Sequence, residues 1–340
     1  MGVALIGSGK ALPALTVGND VLSTMVDTND EWIVSRTGIH NRRIAQTETG
    51  VDLAVAAARD ALGWTGGGWC PAPCDAESID LVIVATATPD ALVPSTGALV
   101  KRELGLSHAV AFDINAACTG FIYGLLVAMN MMHASLAGAP GVSVRRTLVI
   151  GAERLSRITD WTDRSTCILF GDGAGAAVLE TRAEEPGIMG AFVKNHDDTK
   201  DSLYCGMEYR PTPFDADDDK VLWPQHLVMH GQQVFKFAAN AMAEAIIEVL
   251  NQAGVPLSEV KRIVPHQANE RIIKYAAQKL DLPLERFQIS LHDTGNVSSA
   301  SVPMALADLY LDGGIEPGDK ILLVAFGGGL TSGAVLFEAS

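Results

Sequence analysis

Three separated residues carry the side chains needed for covalent catalysis at a carbonyl carbon: Cys118, His266 and Asn296. Cys118 follows a short apolar run at 109–114 and precedes a long, mostly apolar stretch, which is the pattern of a buried strand, a turn and a helix. On the first turn of such a helix, unpaired backbone N–H groups and the helix dipole favour a thiolate over a thiol. Cysteine is also a common core residue, so a role as nucleophile depends on partners elsewhere in the chain.

His266 and Asn296 are the candidate partners. The string Pro265-His266-Gln-Ala places the histidine at the end of an apolar strand, and Gly295-Asn296-Val-Ser-Ser places the asparagine in a turn of small residues before a helix. Each pattern alone is common in structural turns. If the fold brings them to Cys118, the three provide one nucleophile and two hydrogen-bond donors in one pocket.

The order of secondary-structure elements around these residues occurs twice, and the strings Gly175-Ala-Ala-Val-Leu-Glu and Gly333-Ala-Val-Leu-Phe-Glu close the two series. Such a repeat predicts two packed halves of one duplicated α/β fold, with boundaries 1–182 and 183–340. The turn that contains Cys118 then corresponds to the turn that contains Asn296. Because the strand ends of the two halves are related by symmetry, we expect Cys118, Asn296 and His266 to lie in one crevice. The predicted elements are helices at 52–62, 95–104, 118–137, 234–252, 269–280 and from about 299, and strands at 79–85, 109–114, 147–151, 175–180, 260–266, 287–291, 321–325 and 333–338.

Composition narrows the class of protein. The chain has 340 residues, of which 48% are hydrophobic and 19% charged, enough for a large buried core. A net charge of −15 argues against nucleic-acid binding and against anionic membranes. Five scattered cysteines, with no basic and apolar leader at the N-terminus, predict a cytoplasmic protein with reduced thiols.

Three other motifs are interpreted structurally. Gly7-Ser-Gly9-Lys10 lacks the spacing of a phosphate-binding loop, so we expect a glycine turn after a first strand. The aspartate-rich region within 197–226 lacks the spacing of a calcium loop, so we expect a solvated acidic insertion. Cys70 and Cys74 lack a second ligand pair, which favours a surface loop over a zinc site, and no metal is expected.

The motifs resemble those of the 3-oxoacyl-[acyl-carrier-protein] synthase III family, whose members have a thiolase-like, five-layered αβαβα fold. The resemblance runs along the whole chain, and six motifs occur in the family's order. They are Asp27-Thr-Asn-Asp-Glu-Trp-Ile-Val-Ser-Arg-Thr-Gly-Ile39, Ala117-Cys118-Thr-Gly-Phe, Phe170-Gly-Asp-Gly-Ala-Gly-Ala, His266-Gln-Ala-Asn-Glu-Arg-Ile, Gly295-Asn296-Val-Ser-Ser-Ala-Ser and Phe326-Gly-Gly-Gly329.

The resemblance implies a two-stage decarboxylative condensation that initiates fatty-acid synthesis, with no cofactor and with the CoA thioester as substrate. Cys118 would take the acyl group of a short acyl-CoA, and the enolate from malonyl-acyl carrier protein would then attack that group. Backbone N–H groups of Cys118 and Gly328 would form the oxyanion hole, while His266 and Asn296 would stabilise the enolate. Two donors facing one oxygen suit an enolate better than the activation of water by a hydrolase.

The resemblance also assigns binding residues. Trp32 and Arg157 would sandwich the adenine of CoA and Arg36 would meet a phosphate. The remaining CoA positions are Gln232, which departs from a frequent asparagine of the family, Phe235 and Asn269.

Two further assignments concern partners. The helix with Arg271 and Lys274 would dock the acidic carrier protein. Val93 stands where some members have phenylalanine, in a loop that reaches the partner's acyl pocket in the family's homodimers, so primers longer than acetyl are expected.

Three alternatives stay open on sequence grounds. The nearest is a relative of the same fold in secondary metabolism, which moves an acyl group to another acceptor or condenses other partners. A binding protein with an inactive site is a second, and a cysteine hydrolase is a third. A hydrolase would not retain an acyl group on Cys118, whereas a condensing enzyme would retain it until the malonyl donor arrived.

Overall fold

The computed structural model describes residues 2–182, 187–207 and 224–340. The boundary predicted between 182 and 183 falls at the edge of the first gap, and it stays a prediction. In the predicted acidic insertion at 197–226, the aspartates from Asp215 to Asp219 lie outside the described residues, whereas Asp197, Asp198 and Asp201 are described.

Two β-sheets of matching strand order form the framework. The first has the order β1-β7-β6-β4-β5 and the second β8-β13-β12-β11. In each sheet a parallel strand pair is followed by two antiparallel pairings, so the same path is traced twice. The strands are β1 Gly2–Ala11, β2 Leu15–Gly18, β3 Asn41–Ile44, β4 Leu81–Ala85, β5 Val110–Ile114, β6 Arg146–Arg154, β7 Asp172–Arg182, β8 Ile188–Asn195, β9 Leu203–Tyr204, β10 Val228–Met229, β11 Val260–Pro265, β12 Lys320–Gly327 and β13 Thr331–Glu338.

Helices cover both outer faces of the sheets and fill the space between them. α3 and α4 pack outside the first sheet, α7 and α8 outside the second, and α5 and α9 lie between the two. This confirms the expected five-layered αβαβα arrangement. The helices are α1 Asn19–Leu22, α2 Asp30–Thr37, α3 Gly50–Ala61, α4 Thr96–Glu103, α5 Gly120–Leu136, α6 Arg164–Cys167, α7 Gly231–Ala253, α8 Glu270–Lys279 and α9 Ser301–Leu311.

Alternation along the central strands explains the layers. In β4, Leu81 and Ile83 face the central helices, whereas Val82 and Val84 face the outer helix α3. Because side chains of a strand alternate between its two faces, a strand that is apolar at every position must be covered on both. The central helix α5 is apolar enough that residues 117–136 match a membrane span in length and composition, yet its core side chains pack between the two sheets.

The prediction of a glycine turn at Gly7 and Gly9 is wrong, because both residues lie inside β1. A β-carbon on Gly7 would stand 2.1 Å from the carbonyl oxygen of Ala61, and one on Gly9 would stand 2.4 Å from the nitrogen of the same residue. The glycines therefore allow the backbone of α3 to approach the strand, which is a packing role that a turn motif cannot reveal.

The strand predicted at 287–291 is reduced to one bridge between Phe287 and Ile263. The side chain of Gln267 replaces the missing ladder: its amide nitrogen donates to the carbonyl of Gln288 at 3.0 Å, and its oxygen accepts from the backbone N–H of Ser290 at 2.9 Å. The second sheet thus lacks the counterpart of β5, although the chain follows the same route.

The loop with Cys70 and Cys74 differs from the expected surface loop at one end. Cys74 is only 4% exposed and packs in the hydrophobic cluster under α3. The Sγ of Cys70 donates to the carbonyl of Ala72 at 3.0 Å. Within the described ranges, no group of three or more histidine, cysteine or acidic side chains is placed to hold a metal ion.

Candidate active site

Cys118 lies in a 3-10 turn, Ala117–Thr119, that leads directly into α5. The preceding Ala117 has a φ of +46°, and its N–H donates to the Oδ1 of Asn115 at 3.1 Å. The hydroxyl of Thr119 contacts that of Thr331 at 2.8 Å, which joins the turn to the second half of the protein. The cysteine is thus held by contacts on both sides and does not depend on its own side chain for position.

The second half contains the same turn before α9. The N–H of Ser298 donates to the Oδ1 of Asn296 at 2.9 Å, and Ser298 has the same φ of +46°. The predicted correspondence of the two turns is therefore confirmed, and it can be refined: Asn296 is the counterpart of Asn115, and Ser299 is the counterpart of Cys118. Because the oxygen of Asn296 is occupied by a backbone donor, its amide NH2 group remains as a donor for the cavity.

His266 follows the last residue of β11, as predicted. Its backbone N–H donates to the carbonyl of Val324 at 2.8 Å, and its ring meets the edge of Phe326 at 5.2 Å. The residue is 1% exposed, and its Nδ1 has no hydrogen-bond partner in the described part of the protein. Burial lowers the pKa of His266 to about 3, so the imidazole is neutral at physiological pH.

The glycine run at the end of β12 brings the backbone of the second half against Cys118. A β-carbon on Gly327 would stand 2.8 Å from the nitrogen of Cys118. The carbonyl of Gly328 accepts from the hydroxyl of Thr331 at 3.2 Å, the same hydroxyl that contacts the turn of Cys118. Only glycine permits this close approach of the Gly327 backbone to the backbone of Cys118.

The expectation that the helix start favours the thiolate is wrong for the ligand-free protein. Burial raises the pKa of the Cys118 thiol to about 12, and the charge of the Glu153 carboxylate acts in the same direction. A hydrogen bond with Ser298 opposes the shift but is the smaller effect. The site therefore holds a neutral thiol beside a neutral imidazole, and an attack by this sulfur on a carbonyl carbon would require removal of the thiol proton.

One cavity of about 1620 Å³ unites the predicted residues. Cys118, His266, Asn296 and Gly328 line it, together with Arg271 and all six predicted CoA positions: Trp32, Arg36, Arg157, Gln232, Phe235 and Asn269. Lys274 and Val93 are not among the lining residues, and Val93 is 87% exposed.

Guanidinium groups surround the indole of Trp32. Arg36 lies 4.3 Å from the ring centroid and Arg164 lies 4.8 Å from it. Sequence reasoning missed Arg164, because its motif gives no sign that it returns to this ring. Arg157, which is expected to face the indole across a bound adenine, has its Nη1 3.8 Å from the carboxylate of Asp90.

The start of α8 forms part of the cavity wall. Asn269 caps the helix, since its Oδ1 accepts from the N–H of Arg271 at 2.9 Å, while its Nδ2 donates to the carbonyl of Arg36 at 3.0 Å. The guanidinium of Arg271 lies 5.6 Å from the ring centroid of Phe235. Lys274 pairs with Glu270 at 2.8 Å and is half exposed.

Comparison with known proteins gives one consistent result. A family model described as 3-oxoacyl-[acyl-carrier-protein] synthase III matches residues 112–197, and the model of the C-terminal part of that enzyme matches residues 250–339. The β-ketoacyl-[acyl-carrier-protein] synthase III of Clostridium beijerinckii is 45% identical over 336 residues, 99% of each chain. The crystal structure of 3-oxoacyl-[acyl-carrier-protein] synthase III from Aquifex aeolicus is 40% identical with a TM-score of 0.86, over 99% of this chain and 100% of that one. That of the Thermus thermophilus β-ketoacyl-[acyl-carrier-protein] synthase III is 39% identical with a TM-score of 0.88, over 99% of each.

We expect His266 to make the stability of the protein depend on pH below about 6.5. An unfolded histidine takes up a proton there, whereas folded His266 stays neutral down to its pKa of about 3. The unfolded state then binds more protons, so stability that is complete above about pH 6.5 is lost as the pH falls. Between about pH 6.5 and 4.5 the wild type should lose about 2–3 kcal/mol more than His266→Gln, measured by urea unfolding. His133→Gln, which removes an exposed histidine of α5, should behave like the wild type. Equal losses in the wild type and His266→Gln would contradict a buried neutral imidazole.

Proposed function

Since the chain belongs to the 3-oxoacyl-[acyl-carrier-protein] synthase III family, and is therefore an acyltransferase-type condensing enzyme that initiates fatty-acid synthesis, we propose that Cys118 carries the acyl group between its two substrates. The first substrate is a short acyl-CoA and the second is malonyl-acyl carrier protein. The observation that carries this assignment is that Cys118, His266 and Asn296 line a single cavity, with Gly327 packed against the nucleophile.

In the first stage the sulfur of Cys118 attacks the thioester carbonyl of acyl-CoA. A bond forms between this sulfur and the carbonyl carbon, the bond to the CoA sulfur breaks, and the thiol proton passes to the departing CoA. The oxyanion of the tetrahedral intermediate is held by the N–H groups of Cys118 and Gly328. The close approach of the glycine run to Cys118 supports this pair.

In the second stage the malonyl thioester loses CO2, and the electron pair of the broken bond passes to the thioester oxygen as an enolate. The amide NH2 of Asn296, whose oxygen is already occupied, and a ring N–H of neutral His266 donate to that oxygen. The enolate carbon then attacks the acyl group, and the Cys118 sulfur leaves as a thiolate that takes up a proton from solvent. Each donor of this kind contributes about 3–4 kcal/mol to the transition state.

The CoA substrate enters past the arginines around Trp32. Arg36 and Arg164 already lie against the indole, and Arg157 is 53% exposed beside Asp90, from which it can turn to cover an adenine. Positive charge at this entrance is needed because the chain as a whole carries −15. Gln232, Phe235 and Asn269 also line the cavity and would contact the pantetheine arm.

The carrier protein would dock on α8. Arg271 lies at the cavity, Lys274 is one turn further along, and Lys279 is at the end of the helix. These cations can meet an acidic carrier protein while its pantetheine arm enters the cavity beside Arg271. The pairing of Lys274 with Glu270 leaves its ammonium half exposed, so the surface stays accessible.

The enzyme would act in the cytoplasm as a homodimer. Leu92 and Val93 are 70% and 87% exposed in the single chain, although both are apolar. In a dimer that covers these residues, Val93 of one subunit would reach the acyl pocket of the partner subunit. There, a side chain smaller than phenylalanine would leave room for primers longer than acetyl.

The other candidates are less favoured. A relative of secondary metabolism would share the fold, but near-full-length relatives at 42–45% identity are named as β-ketoacyl-[acyl-carrier-protein] synthase III. A hydrolase needs a base for water, and the low pKa of His266 makes it a poor one. A binding protein with an inactive site would not need hydrogen-bond donors from both halves of the protein to be buried at one cavity.

The first test is formation of an acyl-enzyme. Incubation of the wild type with a mixture of acyl-CoAs should add one acyl mass to the peptide that contains Cys118, and the adduct should persist until malonyl-acyl carrier protein is added. Cys118→Ala should acquire none, whereas Cys205→Ala, a thiol of the same cavity, should be acylated normally. Hydrolysis of the adduct without the malonyl donor would contradict the proposal, and an adduct with acetyl only would contradict the proposed primer range.

A second test separates the two stages. His266→Ala and Asn296→Ala should form the acyl-enzyme at close to the wild-type rate, but condensation should fall by about 100-fold to 1,000-fold, because the enolate loses a donor. Single-turnover acylation and steady-state condensation, each followed by mass spectrometry, measure the two effects. An equal loss in both stages would show that these residues do not act on the enolate selectively.

A third test addresses the carrier protein. Reversal of charge in Arg271→Glu/Lys274→Glu should raise the KM for malonyl-acyl carrier protein by about tenfold or more, because the attraction to an acidic partner becomes repulsion. The matched control is Lys101→Glu/Arg102→Glu, which reverses two charges on the exposed part of α4. The acylation rate with acyl-CoA monitors damage to the cavity. An unchanged KM in the α8 variant would place the docking surface elsewhere.

A further inference from the structure

Arg42 is the largest fully buried side chain in the described part of the protein. It lies in β3 and is not among the residues that line the cavity, and the two-stage mechanism gives it no role. Burial lowers the pKa of Arg42 to about 10, so the guanidinium still carries its charge at neutral pH. A buried charge costs several kcal/mol unless hydrogen bonds compensate for the lost water, so its surroundings need an explanation.

The guanidinium of Arg42 joins three segments of the chain. Its Nη1 donates to the carbonyl of Val17 at 3.1 Å, and its Nη2 donates to the Oδ1 of Asn19 at 2.8 Å and to the carbonyl of Ile168 at 3.0 Å. All three acceptors are neutral oxygens, and they belong to β2, to the start of α1 and to the segment between α6 and β7. A planar fork with diverging donors can hold such separated acceptors, whereas the single nitrogen of a lysine cannot reproduce the same geometry.

The residues that follow the carbonyl of Ile168 hold the backbone of Asn296. The N–H of Asn296 donates to the carbonyl of Leu169 at 2.8 Å, and its carbonyl accepts from the N–H of Gly171 at 3.0 Å. These two bonds form a parallel bridge between Phe170 and Asn296. The direction in which the side chain of Asn296 enters the cavity therefore depends on the position of this segment.

The stem of Arg42 packs beside both sides of the bridge. A β-carbon on Gly171 would stand 3.4 Å from the Cβ of Arg42, and one on Gly295 would stand 3.3 Å from the same atom. Gly295 directly precedes Asn296 and has a φ of +68°. Arg42 thus packs next to both segments of the bridge with its Cβ and binds one of them with its guanidinium.

The neighbours of Arg42 in the chain bind the same two segments further along. The N–H of Ala45 donates to the Oδ2 of Asp172 at 2.8 Å, and the N–H of Asn41 donates to the carbonyl of His292 at 2.9 Å. β3 therefore lies across the bridge and is attached to both of its segments, with Arg42 between the two attachments.

We propose that Arg42 is a positioning residue for condensation: its guanidinium holds the 168–171 segment where the amide NH2 of Asn296 points to the oxygen of the enolate. This inference rests on the proposed role of Asn296 in the second stage. A donor of this kind acts only within about 2.7–3.1 Å of the oxygen that develops charge, so a small displacement of the bridge is enough to weaken it. The turn of Cys118 is held by contacts of its own, to Asn115 and Thr331, so the first stage does not depend on Arg42.

Arg42→Lys is the first test, because lysine keeps the positive charge and most of the stem but loses the fork. The kcat for condensation with malonyl-acyl carrier protein should fall by about 10-fold to 100-fold, the usual effect of a misplacement near 1 Å. The single-turnover rate of Cys118 acylation and the KM for acyl-CoA should stay near the wild-type values. Arg43→Lys is the matched control, since Arg43 donates to the carbonyl of Pro13 at 2.9 Å, and it should leave both stages unchanged.

Arg42→Met provides a second variant, which keeps the length of the side chain but removes the charge and every donor. Its condensation rate should fall at least as far as that of Arg42→Lys, again with normal acylation. Thermal unfolding shows whether each variant is folded at the assay temperature. Methionine avoids the burial of a charge that lysine retains, so the two variants do not share one cause of misfolding.

A double-mutant cycle distinguishes positioning of Asn296 from a general weakening of the fold. In the Asn296→Ala background, Arg42→Lys should slow condensation no further, because the group that it positions is already absent. A general loss of structure would instead add to the effect of Asn296→Ala and would slow acylation as well.

The possible outcomes separate the two proposals. If the wild type forms no acyl adduct or does not condense it with malonyl-acyl carrier protein, the proposed function fails. If the wild type condenses and Arg42→Lys condenses equally fast, only the role of Arg42 is wrong. Equal losses in acylation and condensation, or additive losses in the double variant, would also overturn that role, because Arg42 would then not act through Asn296.

Discussion

The site depends on a turn that occurs twice, in which an asparagine side chain accepts from the backbone two residues later and a non-glycine residue adopts a left-handed conformation. Ala117 and Ser298 occupy that strained position with the same φ of +46°. The turn ends a strand and begins a central helix, so it directs the following residues into the crevice between the sheets. In one copy the capping asparagine itself lines the cavity, and in the other the third residue after it, Cys118, does so.

Burial in this crevice determines the chemistry. The same desolvation that lowers the pKa of His266 raises that of Cys118, so the pair is held neutral instead of as a thiolate and an imidazolium. A neutral imidazole can donate one N–H to an enolate without adding a charge to a dry site. The thiol therefore has only a weakly basic imidazole beside it.

Much of this could be predicted from the sequence, because strands buried on both faces are apolar throughout and a repeated series of elements implies repeated topology. The helix at 118–137, the strand before His266 and the convergence of both halves on one cavity followed from that pattern. The misses have physical causes. Gly9 serves a helix that is distant in sequence, and the side chain of Gln267 replaces a strand ladder, so both depend on tertiary contacts.

The electrostatic properties of the site could not be predicted for a different reason. The pKa of Cys118 depends on how completely the fold excludes water, and a local motif does not contain that information. Likewise, Glu153 is an ordinary residue at the end of a strand until the loop at 86–88 and the second turn close over it. Aligning the two turns residue by residue, asparagine on asparagine, would have pointed to Ser298 and Ser299 before any coordinates.

Because the side chain of Gln267 replaces a strand, the two main sheets differ at the edges that correspond to each other. Beside β11, the side chain of Gln267 binds the backbone of Gln288 and Ser290 in place of a strand ladder, whereas at the equivalent position of the first sheet β5 is a regular strand at the sheet edge. Of these two equivalent sheet edges, only that of β5 is formed by a regular strand in the described part of the protein. If two copies paired at β5 around a twofold axis, each would cover the edge of the other, so growth by this route would stop at a pair and would not propagate into a fibre.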